Sequence, residues 1–404
     1  MSEVRLGLRA NALQFSLLVA LNALVGSMVG LERSVMPLIG EREFGLTSKA
    51  AILAFVLAFG LSKAITNLFS GSLAERHSRR RMLIIGWALA LPVPLLIGLA
   101  PTWHWIVVAN LFLGVNQGLA WSMTVVMKID LVGPARRGLA LGLNEAAGYI
   151  GVALMALATG ALAATYAPRE VVWVGALLVA VAGLAISLAL VRDTGAHVRL
   201  EQREHGTEGT VLGLGGALRE ATLRNGPLRA SCQAGLVNNL NDALAWGLVP
   251  LYLAATGASL REIAIVAAAY PLVWGVGQLG TGWLSDSVGR KPLIVLGMLV
   301  QAVALGMLAV GAGAFAPSLA AALLLGVGTA MVYPTLIAAV ADNSQPRDRA
   351  RIVSVYRFWR DFGFVLGALI AGVLSDLISA EAAIVAVAVL TAVSGGFVAV
   401  TRWR

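Results

Sequence analysis

The stretch Gly282-Trp-Leu-Ser-Asp286-Ser-Val-Gly289-Arg290-Lys291 decides the fold, because the chain carries it twice. Its other copy, Gly71-Ser-Leu-Ala-Glu75-Arg-His-Ser-Arg79-Arg80-Arg81, stands 211 positions earlier. A second pair of signatures recurs at an offset of 212: Asp130-x3-Pro134-x2-Arg137 against Asp342-x3-Pro346-x2-Arg349. Each lies at the edge of a long apolar segment. Charged signatures returning at nearly one spacing imply a duplicated helical bundle. Duplicated halves with a binding site at their junction are how secondary transporters are built.

The composition fits a chain that lives in lipid. Of 404 residues, 58% are hydrophobic and only 13% are charged, against about 25% in soluble domains; the mean hydropathy is +0.83. The apolar material falls into twelve blocks, at 12–39, 48–74, 82–100, 104–128, 138–165, 170–191, 228–255, 260–285, 292–314, 317–341, 351–378 and 381–401. Each is long enough for a helix to cross about 30 Å of hydrocarbon and too long for a barrel strand. We number them spans 1 to 12. They predict an all-α membrane protein with an N-terminal six-helix bundle (1–191), a Gly-rich, charged linker (192–227) and a C-terminal six-helix bundle (228–404). One surface helix is expected in the linker near 216–225.

With the N-terminus inside, 21 of the 30 Lys and Arg fall in cytoplasmic segments, four in outer loops and five inside spans. The positive-inside rule then places both termini in the cytoplasm. The net charge of +9 is spread over short loops facing anionic lipid and does not indicate a nucleic-acid partner. The single Cys232 lies within span 7, so no intramolecular disulfide can form. Glycines inside the spans are read as helix-packing positions. The GxGxxG-like match at 275–280 falls within an apolar helix rather than after a strand, so it is not read as a nucleotide loop.

The repeated loop resembles the hallmark of the major facilitator superfamily, G-x-L-a-D-r-x-G-r-k. Gly282, Leu284, Asp286, Gly289, Arg290 and Lys291 match it, and the first copy keeps Gly71, Leu73, Arg76, Arg79 and Arg80 with Glu75 for Asp and Ser78 for Gly. Arg137-Gly138 after span 4 matches as well. The resemblance covers the whole chain and implies two bundles related by a pseudo-two-fold axis, with a central cavity that opens to either side in turn. It also implies a gate at the hallmark loops, formed by Gly71, Glu75, Arg79, Asp130 and Arg137 in one half and by Gly282, Asp286, Gly289, Arg290 and Asp342 in the other. Two positions depart from the family's drug antiporters: Asn110 stands where they carry an Arg in span 4, and Ala147-Gly148-Tyr-Ile-Gly151-Val replaces their G-P-x-x-G-G in span 5.

Ionisable groups within spans are costly and mark function, and residues 3, 4, 7 or 11 apart share a helix face. On these grounds the candidate solute ligands are Asn22, Arg33, Lys63, Asn67, Gln117, Trp121, Asn238, Asn241, Trp274, Gln278, Tyr333, Arg357 and Arg360. The candidate proton carriers are Asp242 and Glu145, with Glu32 and Asp361 beside them. Glu32 is expected near the outer end of span 1. Arg360 and Asp361, adjacent in sequence, are not expected to pair fully with each other, which implies partners on other helices. The four histidines fall in loops or at span edges, away from any proton path.

These residues point to a secondary transporter of the cell (inner) membrane, moving a small organic solute by alternating access. Proton-coupled efflux by a monomer without cofactor is the first reading. An anion uniporter or exchanger without protons is the second, using Lys63, Arg33 and Arg360. A transporter-like receptor or scaffold is the reading from another class. No metal-spaced histidines, Ser/His/Asp set or nucleotide loop supports an enzyme.

Overall fold

The computed structural model describes residues 5–133, 137–205, 212–345 and 348–403, with the side chains of 74–76, 137–139 and 201–205 excepted. The hallmark side chains of Glu75 and Arg137, and Pro134 and Pro346, therefore lie outside the described residues. The apolar blocks are helical, with short breaks inside the first, third and seventh. Eleven helical segments are long and apolar enough to cross a membrane: Ala12–Arg42, Lys49–Leu73, Arg79–Gly98, Trp103–Val132, Ala140–Ala163, Pro168–Ala189, Leu260–Val288, Arg290–Val310, Phe315–Asp342, Arg349–Leu377 and Ala380–Val400. Span 7 is the twelfth. It is made of Gly226–Gly247 and Val249–Ala255 and is inserted among spans 10, 11 and 12. Gln233, Asn238, Asn239, Asn241 and Asp242 leave it too polar to qualify on composition.

The packing repeats between the halves. Spans 1 and 5, 2 and 4, 3 and 6, and 3 and 4 lie against each other in the first half. Spans 7 and 11, 8 and 10, 9 and 12, and 9 and 10 do so in the second. The halves meet through span 2 against span 11 and span 5 against span 8, as a two-fold axis requires. Large apolar side chains such as Leu178, Leu296, Val303 and Val393 face outward, while nearly all intramembrane polar groups are buried, which is the distribution lipid selects.

Two glycine pairs set the repeat's closest contacts. A Cβ on Gly26 would stand 1.9 Å from the Gly148 carbonyl oxygen, and one on Gly30 2.4 Å from that of Val152, so span 1 lies flush against span 5. In the second half Gly363 and Gly367 do the same for span 11, at 2.1 and 2.7 Å from the carbonyls of Leu236 and Leu240 on span 7. Packing is thus the role of these glycines.

Spans 1 and 7 are both broken by proline. Span 1 stops at Arg33 and resumes at Met36 with Pro37 in its first turn; span 7 stops at Gly247 and resumes at Val249 with Pro250 likewise. Neither proline can donate to the carbonyl four residues back, which belongs to Arg33 in one half and Trp246 in the other. These two residues face each other, the guanidinium 5.5 Å from the indole centroid.

The halves are closely joined at the end opposite the termini. Asp376, at the end of span 11, accepts from Ser48 Oγ (2.6 Å), the Lys49 amide (2.6 Å) and the Ala50 amide (3.1 Å). It thereby caps the start of span 2, where free amides favour an anion. A Cβ on Gly160 would lie 2.1 Å from that of Ala264, joining spans 5 and 8 at the same end.

The linker holds more structure than its composition suggests. Besides the expected helix, found as Leu214–Arg219 followed by a π turn at Glu220–Arg224, it forms a helix over Gly195–His205.

Candidate functional site

The interface between the halves contains a belt of polar and aromatic side chains midway along the spans. One member is Arg33, whose guanidinium lies 2.7 and 2.9 Å from the two carboxylate oxygens of Asp242, linking spans 1 and 7. Both residues are almost completely buried. Trp246 covers the pair and leads into a ring cluster with Phe55, Phe59 and Phe364, at centroid distances of 4.9 to 6.2 Å. A small cavity adjoins Arg33 on the side of the second half, lined by Tyr270, Ala304, Leu305 and Ser318 among others.

The second charge pair corrects an expectation. Arg360 and Asp361 do bond each other, through Nε and Nη2 at 2.8 to 3.0 Å. The arginine chain is long enough to fold back on the carboxylate of the next residue. Partners from other helices add to this pair: Asn67 of span 2 and Asn239 of span 7 donate to Asp361, while Arg360 Nη1 donates to Tyr333 Oη at 2.7 Å. Asn67 in turn accepts from Ser122 Oγ (2.9 Å), and that hydroxyl accepts from Arg357 at 3.0 Å.

Glu145 is placed differently. It is 4% exposed, and its carboxylate accepts from Trp121 Nε1 (2.8 Å), Asn144 Nδ2 (3.1 Å) and Tyr333 Oη (2.9 Å). Among the described residues no cation stands within ion-pair distance of it. The Tyr333 bond crosses from span 5 to span 10 and so joins the two halves. Around it Tyr149 stacks on Trp274 with centroids 3.5 Å apart, and Trp121 and Tyr333 close the box at 5.2 and 5.7 Å from Tyr149. Lys63 lies in the same layer, its ammonium ringed by Phe59, Trp121 and Phe364.

Of the candidates named from sequence, Arg33, Lys63, Asn67, Trp121, Glu145, Asp242, Trp274, Tyr333, Arg357, Arg360 and Asp361 come together in this belt. Gln278 is buried on span 8 with neither amide atom hydrogen-bonded. Four others are occupied inside one half. Asn22 donates to the Asn144 carbonyl (2.7 Å) and accepts from Thr124, and Gln117 donates to the Val25 carbonyl (2.7 Å). Asn238 and Asn241 bond Gln301 of span 9 at 3.0 and 2.8 Å. Glu32 does not reach the outer end of its span: it is buried inside the first half, accepting from Asn110 at 3.4 Å, with its other oxygen unpartnered. Asn110 thus faces a carboxylate from the position where the family's drug antiporters carry arginine.

Tyr149, Ser122, Asn239 and Gln301 were not singled out from sequence as ligands. Tyr149 stands four residues after Glu145, and Gln301 is a lone amide in an apolar span, so both carried a signal.

The hallmark loops sit at the end bearing the termini. Arg79 pairs with Asp130 (3.2 Å), which also accepts from Thr194 of the linker, while Ser78 donates to Asp193. Arg290 bridges Asp286 (2.6 Å) and Asp342 (3.0 Å) and donates to Ser285. Gly71 packs on span 11, where an added Cβ would stand 3.0 Å from Ser354 Oγ. Gly289 has a φ of +98°, the left-handed region that glycine tolerates. Gly282 corrects the pattern, since a Cβ there would meet nothing within 4 Å.

Two bundles of six spans, joined through spans 2/11 and 5/8 around a buried polar belt, have the architecture of a membrane transporter. The family model described as Major Facilitator Superfamily matches residues 15–238 and 232–404, and the chain belongs to that family. Proteins called Multidrug resistance protein MdtG, from Salmonella choleraesuis (strain SC-B67) and Salmonella schwarzengrund (strain CVM19633), are 26% identical over 369 residues, covering 87% of this chain and 86% of theirs. The fold is similar to that of a bacterial homolog to the human lysosomal transporter Spinster, described as inward-facing and unoccupied. The TM-score is 0.74 at 16% identity, over 96% of both chains.

Proposed function

We propose that the protein exports a small organic solute in exchange for protons, with the midplane belt as the shared site and Glu145 as the proton carrier. The observation that carries this reading is the Glu145–Tyr333 bond: a buried carboxylate with no cation at ion-pair distance among the described residues, held across the interface by a neutral hydroxyl. Hydrogen bonds to a charged acceptor are roughly twice as strong as neutral ones. Protonating Glu145 therefore loosens a tie between the halves, and deprotonating it restores the tie. Asp242 has Arg33 as a fixed counter-ion and serves as a latch rather than a carrier. Export accords with the name of the MdtG relatives, and cytoplasmic termini accord with the charge asymmetry of the loops. With that orientation, the end joined through Asp376 and Gly160 is the outer one.

The test uses purified protein in liposomes loaded with a pH-sensitive dye, screened against anionic, cationic and neutral organic solutes. Wild type is expected to couple solute movement to internal pH change. Glu145→Gln is expected to lose that coupling while retaining solute-for-solute exchange. Unchanged proton movement in Glu145→Gln would overturn the assignment, and solute flux indifferent to pH in wild type would favour a uniporter.

A further inference from the structure

We infer that the solute is an organic anion with an apolar body, and that Lys63 binds its anionic head; this rests on reading the midplane belt as the solute site. The argument is one of charge accounting. Arg33 is held by Asp242, and Arg360 by Asp361 and Tyr333. Lys63 touches no acid, although Asp361, Asp242 and Glu145 stand near enough to act on its charge. It is 7% exposed, and among the described residues no carboxylate or hydrogen-bond acceptor reaches its ammonium. Its neighbours are the rings of Phe59, Trp121 and Phe364, with centroids 5.2, 5.6 and 5.6 Å from Nζ.

Rings alone do not satisfy such a group. A cation–π contact attracts the charge, but an ammonium carries three N–H donors that a ring face serves poorly. A charge in the middle of a membrane is costly to hold. An incoming carboxylate or phosphonate would supply both the missing charge and the acceptors. The rings that now surround the ammonium would then flank the solute's apolar portion.

A second cation makes the same demand. Among the described residues Arg357 donates only to the Ser122 hydroxyl, and its Nε is buried without a partner. Ser122 follows Trp121 directly, so span 4 brings a wall of the Lys63 cage and the Arg357 contact together on one turn. Lys63 comes from the first half, and Phe364 and Arg357 from the second. An anion held among them would touch both halves at once, as a solute must if it is to favour the closed state over either open one.

The experiment compares three probes that share one ring system and differ in charge: 2-naphthoate, 2-naphthylmethylammonium and 2-naphthalenemethanol. Binding to the purified full-length protein is measured by titration calorimetry, independently of transport. Naphthoate is expected to bind at least tenfold more tightly than the other two. Lys63→Ala and Lys63→Met are each expected to weaken it at least tenfold, and Lys63→Arg to keep it within about threefold. Since the Arg variant retains the bulk and charge, its binding guards against loss through misfolding. The inference is overturned if the ammonium or the alcohol binds as tightly as the acid, if none of the three binds, or if Lys63→Met leaves naphthoate affinity unchanged. Flux of the same probes in liposomes separates the two readings. Naphthoate bound but not moved contradicts transport at this site, and the ammonium moved in preference to the acid contradicts only the anion.

Discussion

Two of the bonds that cross the interface within the belt differ in kind. Arg33 and Asp242 form a full ion pair between spans 1 and 7. Glu145 and Tyr333 form a hydrogen bond between spans 5 and 10 in which only one partner can carry charge. A buried ion pair is costly to break, because removing one member strands the other. A carboxylate held by neutral donors can gain or lose its proton without stranding a counter-charge. The first bond suits a latch and the second a trigger. The sequence repeat does not dictate this division: the first bond joins the equivalent spans 1 and 7, the second the non-equivalent spans 5 and 10.

The contrast can be broken most forcefully at the latch. Asp242→Asn is expected to lower stability by about 3–5 kcal/mol by stranding Arg33, seen as a lower thermal unfolding midpoint in detergent. The double change Arg33→Met with Asp242→Leu is expected to recover most of that loss, and failure to recover would mean the pair does more than balance charge. At the trigger, Tyr333→Phe is expected to cost less, about 1–3 kcal/mol, by removing one donor from Glu145 and one acceptor from Arg360. Its solute flux should respond less steeply to the pH gradient than that of wild type.

Smaller effects are expected at the hallmark loops. Arg79→Ala and Arg290→Ala each remove partly exposed pairs worth about 0–1 kcal/mol. Arg79→Ala should have the larger effect, because Asp130 is 10% exposed and Asp286 and Asp342 are 63% and 55% exposed. Equal unfolding midpoints for the two variants would contradict this ordering. The smallest effect belongs to Gly282→Ala, expected within about 0.5 kcal/mol as a surface change. Gly71→Ala, with Ser354 Oγ in its way, should exceed it in the same assay.

The fold was legible because duplication writes the same charged loop twice and because lipid enforces long apolar blocks. Span 7 shows the limit of composition alone: its asparagines disqualify it by hydropathy, yet its length and place in the repeat identify it. The belt was legible in part. Helical spacing says which residues share a face but not what that face meets. Asn22, Gln117, Asn238 and Asn241 carry the same pattern as Asn67, and they face sister helices of their own half instead of the interface. Glu32 was misjudged in depth because the helix resumes after the proline break as Met36–Arg42, which carries the span well beyond it. The Arg360–Asp361 pair escaped because spacing rules treat adjacent helical residues as pointing apart, whereas a long guanidinium chain can turn back. The linker helix Gly195–His205 left no apolar periodicity to read.

The account depends on the belt being reached by water from each side in turn. Cys232 is the only native cysteine, so Asn67→Cys in a Cys232→Ser background gives one thiol at the centre of the belt. Membrane-impermeant thiol reagents can then be applied to right-side-out and to inverted vesicles. Modification from both sides is the predicted result, with the rates shifting in opposite directions when a transported solute is added. A thiol that reacts from one side only, or from neither, whatever solute and pH are supplied, would contradict alternating access at this site.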